Sequence, residues 1–222
     1  MPRLPRRVYE KCILAGKGVW RRARLAVRRR QVAAAVARKP WPLLLHFGCG
    51  ANYLEDWVNL DGQRLPRVDI VWDLNDGLPL PDGSCRLVYS EHVLEHFPVD
   101  RGVALLAECR RVLAPSGTLR IAMPSLEYLV SKYVSSDWRD QDWLRWPQFE
   151  FIQTRAEMLN IAFRSWGHAW LYDREELHRR LREAGFEAVA DVAWGQSNIS
   201  ELCSVETRDD SRLICEARNP ER

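Results

Sequence analysis

The strongest constraint on the fold is a series of short apolar runs, each followed by a turn or a carboxylate. The runs have the length and composition of buried strands, and they lie at Leu43–Phe47, Val58–Leu60, Val68–Trp72, Arg86–Ser90 and Thr118–Ala122. Between the last two, a helical pattern at Val103–Leu113 ends in the turn signal Ala114–Gly117. Strands that alternate with helices predict crossover connections and a parallel sheet.

The last part of the chain predicts one more helix and a closing pair of strands. Asp173 is placed to cap a helix that runs to Ala184, and Gly185 stops it. Two further strands are predicted at Phe186–Trp194 and Ser211–Ala217. With 222 residues and 46% hydrophobic content, the chain can bury the core of one α/β domain with an appendage.

The first 40 residues differ in charge from the rest. They hold thirteen of the 33 Lys and Arg residues and a single acid, Glu10. Apolar residues at helical spacing across Val8–Ala37 predict a basic amphipathic helix or helix pair, which Lys39–Pro42 ends. We therefore divide the chain into a helical extension at 1–40 and a domain at 41–222. The extension either lies on an anionic membrane surface or packs on the domain with its arginines solvated.

Composition also bears on the compartment and on metals. The six cysteines contain no CxxC pair and no metal-ligand spacing, so we expect reduced thiols in the cytoplasm and no metal site. No apolar run has the length needed to span a bilayer. A peripheral position at the inner membrane surface stays open through the basic extension.

The first apolar run ends in Gly48-Cys49-Gly50, a turn that lets a ligand approach the main chain without meeting a Cβ atom. The usual dinucleotide fingerprint needs a third glycine three residues later and an acid about 20 residues further on. Neither requirement is met here, because Asn52 and Asp61 come earlier after Gly50 than the third glycine and the acid of that fingerprint would. A pyrophosphate ligand is therefore disfavoured, and Cys49 is better explained as a small core residue than as a nucleophile.

Two carboxylates follow consecutive predicted strands. Asp61 ends the second strand and Asp73 the third, so both would lie at the carboxyl edge of a parallel sheet, where open α/β folds hold ligands. One carboxylate can accept hydrogen bonds from both hydroxyls of a ribose, and the other can accept a hydrogen bond from the exocyclic amine of adenine. The pattern favours an adenosine ligand without phosphates, although strand-end aspartates also serve as turn residues or helix caps.

At this point the sequence resembles the class I S-adenosylmethionine-dependent methyltransferases, in particular the type-11 methyltransferase domain. The likeness is carried, in order, by HFGCG, VNLD, VWDLNDGLPLPDGSCRLVYSEHVLEHF and LLAECRRVLAPSGTLRIAMPS. GCGAN and WVNLD also resemble a subgroup of predicted methyltransferases, some of them linked with cell-surface polysaccharide synthesis. The resemblance implies an α/β fold with a doubly wound, mostly parallel seven-stranded sheet, the Rossmann-like methyltransferase fold.

The resemblance also implies a cofactor and its contacts. The methyl donor would be S-adenosylmethionine, with Gly48 and Gly50 along its methionine part and Asp61 on its ribose. Asp73 and the amide of Leu74 would bind the adenine.

Three further positions belong to the implied donor site. Glu91, at the end of the fourth strand, would face the sulfonium. Many relatives have an acid where His46 stands and glycine where Asn52 stands. These two departures motivate a second hypothesis, a methyltransferase fold that binds the cofactor without turnover.

The acceptor side is expected in a tryptophan-rich helical insertion at about residues 126–172. Its aromatic side chains suit sugars, lipids or flat rings, and packing of an added helical cap explains them equally well. His168 is its polar member nearest the expected cleft. His92 follows the fourth strand and is spaced with His96 for one face of a helix, which can bind metal, but no third ligand follows by spacing.

We therefore predict an enzyme that methylates a small-molecule, glycan or lipid acceptor. The sulfonium already activates the methyl group, so the protein must align donor and acceptor and, for a hydroxyl, remove a proton. His92 is the first candidate base and His168 the second. A nucleic-acid methyltransferase is a weaker alternative, because the fourth strand ends in SEHV, without the Asp/Asn-Pro-Pro-aromatic motif of base-amine methylation.

Overall fold

The computed structural model describes residues 30–221. A boundary between compact units follows Arg38. Residues 30–36 are helical (α1), and most of the helix predicted across Val8–Ala37 lies outside the described residues. The membrane association of the basic extension therefore stays a prediction.

All seven predicted strands form, and they make one sheet. The strands are β1 (Leu43–Phe47), β2 (Val58–Asp61), β3 (Ile70–Val71), β4 (Cys85–Glu91), β5 (Leu113–Met123), β6 (Glu187–Asp191) and β7 (Leu213–Arg218). Their order is β3-β2-β1-β4-β5-β7-β6, with β7 antiparallel to both of its neighbours and the other pairs parallel. The predicted α/β fold with a mostly parallel sheet is confirmed. The chain reverses direction across the sheet between β1 and β4, so their carboxyl ends flank the switch point where such folds bind ligands.

Three strands, β3, β5 and β6, differ in length from the prediction by more than two residues. β5 begins at Leu113, which pairs with Cys85, and the predicted turn is contained in the strand as an irregularity, since the register shifts between Cys85 and Leu87. Within that segment Ser116 has a φ of 60°, the left-handed conformation of a turn. At the two edges of the sheet, β3 is reduced to two residues and β6 ends at Asp191.

The described part of the chain beyond α1 has four further α-helices, α2 (Val99–Val112), α3 (Leu126–Val134), α4 (Arg155–Arg164) and α5 (Arg174–Glu183). As predicted, the Asp173 carboxylate accepts a hydrogen bond from the backbone N–H of Glu176 at the start of α5, and Gly185, with a φ of 89°, follows its end. Among residues 30–221, no helix is both long enough and apolar enough to cross a membrane.

The tryptophan-rich segment between β5 and α5, here called the insertion (residues 126–172), has a hydrophobic cluster of its own. α3, α4 and several single 3-10 turns contribute to it. Its buried members are Leu129, Trp138, Trp143, Phe149, Ile152, Met158, Ala162 and Leu171. Trp146 and Trp166 remain 42% and 44% exposed. Packing therefore explains part of the aromatic content and leaves aromatic rings on the surface.

Candidate functional site

The turn after β1 has the backbone conformation that its glycines predicted. Gly48 and Gly50 have φ values of 66° and 53°, which favour glycine. A Cβ atom on Gly48 would lie 2.2 Å from a methyl group of Val93, whereas a Cβ atom on Gly50 would meet nothing within 4 Å. Between them Cys49 is buried, and burial raises the pKa of its thiol to about 12, so the thiol is not poised as a nucleophile.

Asp61 lies at the end of β2 and holds this turn. Its Oδ2 accepts a hydrogen bond of 2.8 Å from the backbone N–H of Gly50, and its Oδ1 accepts one of 2.8 Å from the N–H of Gln63. Each oxygen keeps a lone pair for a further donor. The predicted closeness of the glycine turn and this carboxylate is therefore found.

Asp73 follows β3 and caps a 3-10 turn that runs from Leu74 to Asp76. Its Oδ1 accepts a hydrogen bond of 2.9 Å from the N–H of Asn75. The residue serves as the helix cap that the sequence left open as an alternative, and it stands at the same edge of the sheet as Asp61.

His46, which the resemblance placed in the donor site, lies inside the sheet rather than at an open cleft. It is 3% exposed, and its ring centroid is 4.9 Å from that of Tyr89. Burial lowers its pKa to about 4, an effect that the neighbouring Asn59 and Asp61 oppose. Its Nδ1 has no hydrogen-bond partner among residues 30–221. His46 is therefore neutral at physiological pH and carries no charge toward a cofactor.

This buried histidine predicts a pH-dependent stability. Because the pKa is lowered from 6.5 to about 4 on folding, only the unfolded chain binds the proton between these values. The free energy of unfolding that the buried, neutral His46 contributes is complete above pH 6.5. It is lost as the pH falls toward 4, and the loss is about 2 kcal/mol at pH 5. We expect urea titrations at pH 7.5 and pH 5 to show a smaller loss of unfolding free energy in His46→Gln than in the unsubstituted protein. An equal loss in both would contradict this assignment.

Glu91, predicted to face the sulfonium, is hydrogen-bonded by a loop at residues 207–211. Its Oε1 accepts from the backbone N–H groups of Thr207 and Arg208, at 3.0 and 3.1 Å, and from the Ser211 hydroxyl at 2.8 Å. Its Oε2 accepts from the Thr207 hydroxyl at 2.6 Å. The carboxylate therefore anchors this loop across the end of β4.

The same loop reaches the glycine turn. The Asn52 side-chain amide donates a hydrogen bond of 2.9 Å to the Thr207 hydroxyl. Asn52 and Glu91 are thus joined through one threonine. Sequence reasoning missed this loop, because it carries no motif; the only signal was the charged run Arg208-Asp209-Asp210 ahead of β7.

His92 directly follows β4 as predicted, but it does not share a helix with His96. Its φ is 52°, and only a single 3-10 turn, Leu94–His96, follows it, so the predicted helix is wrong. Its Nε2 lies 3.2 Å from the Ser211 hydroxyl, and its Nδ1 lies 3.3 Å from Oε1 of Glu95. Burial lowers its pKa to about 3. One ring nitrogen, Nε2, is therefore within hydrogen-bond distance of Ser211, and the other faces the Glu95 carboxylate.

A cavity of about 310 Å³ opens at the carboxyl ends of β4 and β5, beside His92 and Pro124. We call it the acceptor pocket. It lies between the end of the sheet and the insertion. The other lining residues are His96, Ser125, Tyr128, Leu129, Gln141, Trp143, Trp146, Ala162, Trp166, His168, Arg208 and Asp210.

Two further histidines belong to the wall of the acceptor pocket. The ring centroids of His96 and His168 are 5.2 Å apart. Nδ1 of His168 lies 2.8 Å from the carbonyl oxygen of Ala162, so as the N–H tautomer it donates there and leaves Nε2 with a lone pair. Burial lowers the pKa of both histidines, which favours their neutral forms. The structure brings His168 and His92 to one pocket, as predicted.

Comparison with known proteins finds a similar family for part of the chain. Residues 49–121 match the family described as a methyltransferase domain. A probable S-adenosylmethionine-dependent methyltransferase of Mycolicibacterium smegmatis is 28% identical over 170 residues. The chain is therefore similar to S-adenosylmethionine-dependent methyltransferases. The match covers 72% of this chain and 63% of the relative, so this chain spans less than two thirds of the relative's length.

Solved structures similar to this chain include two S-adenosylmethionine-dependent methyltransferases. The one from Archaeoglobus fulgidus has 18% identity and a TM-score of 0.48, and the likeness covers 88% of this chain and 94% of that chain. The one from Mesorhizobium loti has 19% identity and a TM-score of 0.47, with 84% and 96% covered.

S-adenosylmethionine is the cofactor that the similarity to these methyltransferases implies. The residues at the carboxyl edge of the sheet suit it, because Gly50 leaves open space beside the backbone and Asp61 retains acceptor capacity next to it. The ligand expected from the strand-end carboxylates, an adenosine without phosphates, is the nucleoside part of this cofactor.

Proposed function

We propose that the protein transfers the methyl group of S-adenosylmethionine to an oxygen of a ring-containing small molecule or glycan held in the acceptor pocket. The observation that carries this proposal is the position of the pocket. The pocket opens where β4 and β5 end, beside His92. The glycine turn at Gly48–Gly50, here called the donor turn, follows the neighbouring strand β1. Donor and acceptor would therefore meet over one edge of the sheet, as in-line displacement requires.

The lining of the pocket supports a sugar or flat ring as acceptor. Trp143 and Trp166 meet edge to face with ring centroids 5.6 Å apart, and Trp146 lies 6.4 Å from Trp166. Such rings offer apolar faces to the carbon skeleton of a ligand. Arg208 and Asp210 add charged hydrogen-bonding groups, one a donor and one an acceptor, which suit hydroxyls better than a wholly apolar chain.

His168 is the residue best placed to act on the acceptor hydroxyl. Its Nδ1 is occupied by the Ala162 carbonyl, and its other ring nitrogen has a lone pair at the pocket wall. His92, the first candidate from the sequence, has Nε2 within hydrogen-bond distance of the Ser211 hydroxyl and Nδ1 facing the Glu95 carboxylate, not the acceptor. We therefore assign His92 a positioning role and His168 the contact with the acceptor.

For the donor side, we expect Asp61→Ala to weaken S-adenosylmethionine binding by about 10- to 150-fold. A charge-assisted hydrogen bond contributes about 1.5–3 kcal/mol, and the substitution also releases the N–H of Gly50. Calorimetric titration measures the change. Asp82→Ala is the control, since Asp82 is exposed and precedes β4 at the opposite edge of the sheet. Unchanged affinity in Asp61→Ala would remove Asp61 from the donor site.

The acceptor is identified by incubating the protein with S-adenosylmethionine labelled in its methyl group and fractionated cell extract. We expect label in a hydroxyl-bearing ring compound or glycan fraction. Label in protein, RNA or DNA alone would overturn the proposed acceptor class. Retention of the cofactor with no labelled product from any fraction would favour a second candidate, a binding module.

The second candidate is motivated by the loop at residues 207–211. Thr207 joins Glu91 and Asn52 across the end of the donor turn, so this loop would have to move or to share the site with the methionine end of the cofactor. A module that binds S-adenosylmethionine without transferring its methyl group would tolerate a loop in this position.

A further inference from the structure

We propose that Glu95, His96 and His168 form a binding site for a divalent transition-metal ion at the wall of the acceptor pocket. One ligand atom from each residue lies within 4.8 Å of the other two. Spacing in the sequence could not identify this set of ligands, because folding brings His168 from the insertion to the 3-10 turn that holds the other two. The inference goes beyond the proposed methyl transfer and does not depend on it. With an ion bound, the Nε2 lone pair of His168 is used by the metal, so His168 would act on an acceptor through the ion and not as the base.

The two histidines have the geometry of ligands to one ion. With metal–nitrogen distances of about 2.0–2.1 Å and a tetrahedral angle, the centroids of two imidazole rings should be roughly 5 Å apart. The observed separation of the His96 and His168 rings is 5.2 Å, with 58° between their planes. Histidine ligands usually donate their second ring nitrogen to a carbonyl or carboxylate, which His168 does at Ala162.

Glu95 gives the independent observation. Its side chain is 0% exposed, and neither carboxylate oxygen has a hydrogen-bond partner among residues 30–221, although Oε1 lies 3.3 Å from Nδ1 of His92. Buried carboxylates are normally satisfied by hydrogen bonds, by a charge partner or by a metal. This carboxylate lies beside two imidazoles, and a cation bound among the three would satisfy it.

The backbone fixes the three residues relative to one another. The carbonyl oxygen of Glu95 accepts hydrogen bonds from the N–H groups of Ala169 and Trp170, at 2.8 and 3.1 Å. These bonds hold the segment that carries His168 against the turn that carries Glu95 and His96. A site of two histidines and one carboxylate leaves coordination positions open. Since both histidines line the acceptor pocket, an oxygen of the acceptor could occupy one of them.

A second group, His178, Asp191 and Cys215, also lies within ligand distance. There, however, Nε2 of His178 is 2.8 Å from Asp191, and Arg174 pairs with the same carboxylate at 2.7 Å. The carboxylate is thus already neutralised by neighbours, and this group serves as the control.

The test is a titration of the full-length protein with Co²⁺, followed by visible absorption, and with Zn²⁺, followed by calorimetry. We expect binding of one ion, loss of at least about 100-fold in affinity in His168→Gln and Glu95→Gln, and unchanged affinity in His178→Gln. The ion should also raise the unfolding temperature of the unsubstituted protein and not that of Glu95→Gln. Because Glu95→Gln is nearly isosteric, circular dichroism establishes that it folds.

If the unsubstituted protein binds neither Co²⁺ nor Zn²⁺, the proposed site is overturned. It is also overturned if the ion binds but only the His178→Gln substitution removes that binding. Neither measurement needs the cofactor or the acceptor. Failure of the metal site is therefore distinguished from failure of the proposed methyl transfer, which is judged by label from S-adenosylmethionine.

Discussion

Replacing His168 with glutamine is expected to lower turnover by about 100- to 10,000-fold and to leave the affinity for S-adenosylmethionine nearly unchanged. The residue belongs to the insertion and lines the acceptor pocket, away from the turn after β1 where the cofactor is expected. Glutamine keeps a donor for the Ala162 carbonyl but lacks a basic nitrogen. The effect should therefore appear in the transfer step, measured as turnover with saturating cofactor.

Two further variants make this result specific. His178→Gln changes a histidine of α5 that does not line the pocket, and it should leave turnover unchanged. His96→Gln separates direct proton removal by His168 from ligation of a metal ion. A metal site requires losses of similar size in both pocket histidines, whereas a lone base requires a large loss only in His168→Gln. Near-normal turnover in His168→Gln would show that catalysis rests on alignment alone.

The sheet could be predicted from the sequence because its signals are local. Each buried strand is a short apolar run, and the cap at Asp173 and the stop at Gly185 depend on side chains close to them in the chain. The prediction was less accurate where pairing with a neighbour overrides local signals. The segment before Thr118 reads as a turn and keeps a turn conformation at Ser116, yet Leu113 ahead of it pairs with Cys85, so β5 runs through it.

The donor side of the site was predicted in part for the same reason. The glycine turn and Asp61 each follow a strand, so the rule that carboxyl ends share one edge brings them together, and Asp61 indeed holds Gly50. The acceptor side could not be predicted in this way. His96 and His168 meet only because the insertion folds back on the end of β4, and the contact of Glu91 with Thr207 depends on a loop without a motif.

The sequence also did not predict which charged side chains are buried. Arg120 lies in β5 within a run that reads as an apolar strand, yet its side chain is 0% exposed. Its Nε donates to Glu206 and its Nη1 to Glu216, both at 2.6 Å. Glu206 in turn accepts a hydrogen bond of 3.0 Å from the N–H of Gly195. This ion-pair network ties the sheet to the chain segment that leads into the loop at residues 207–211.

We therefore expect Arg120→Met to lower the free energy of unfolding by about 3–5 kcal/mol, measured by urea denaturation at pH 7. Removing one partner of a buried ion pair leaves an uncompensated charge, here on Glu206, which is also 0% exposed. Arg145→Met is the matched control, because Arg145 pairs with Asp140 and Asp142 at the surface, and exposed pairs contribute at most about 1 kcal/mol.

A further substitution distinguishes an unpaired charge from a lost packing contact. If the cost of Arg120→Met arises from Glu206, the double variant Arg120→Met with Glu206→Gln should recover part of the lost stability, since glutamine keeps the hydrogen-bonding shape without the charge. A double variant that is less stable than Arg120→Met would mean that packing, not charge, sets the cost. Because Glu206 adjoins Thr207, the single variant should also loosen the loop that covers Glu91, which hydrogen exchange of the backbone amides of Thr207 and Arg208 would detect as faster exchange.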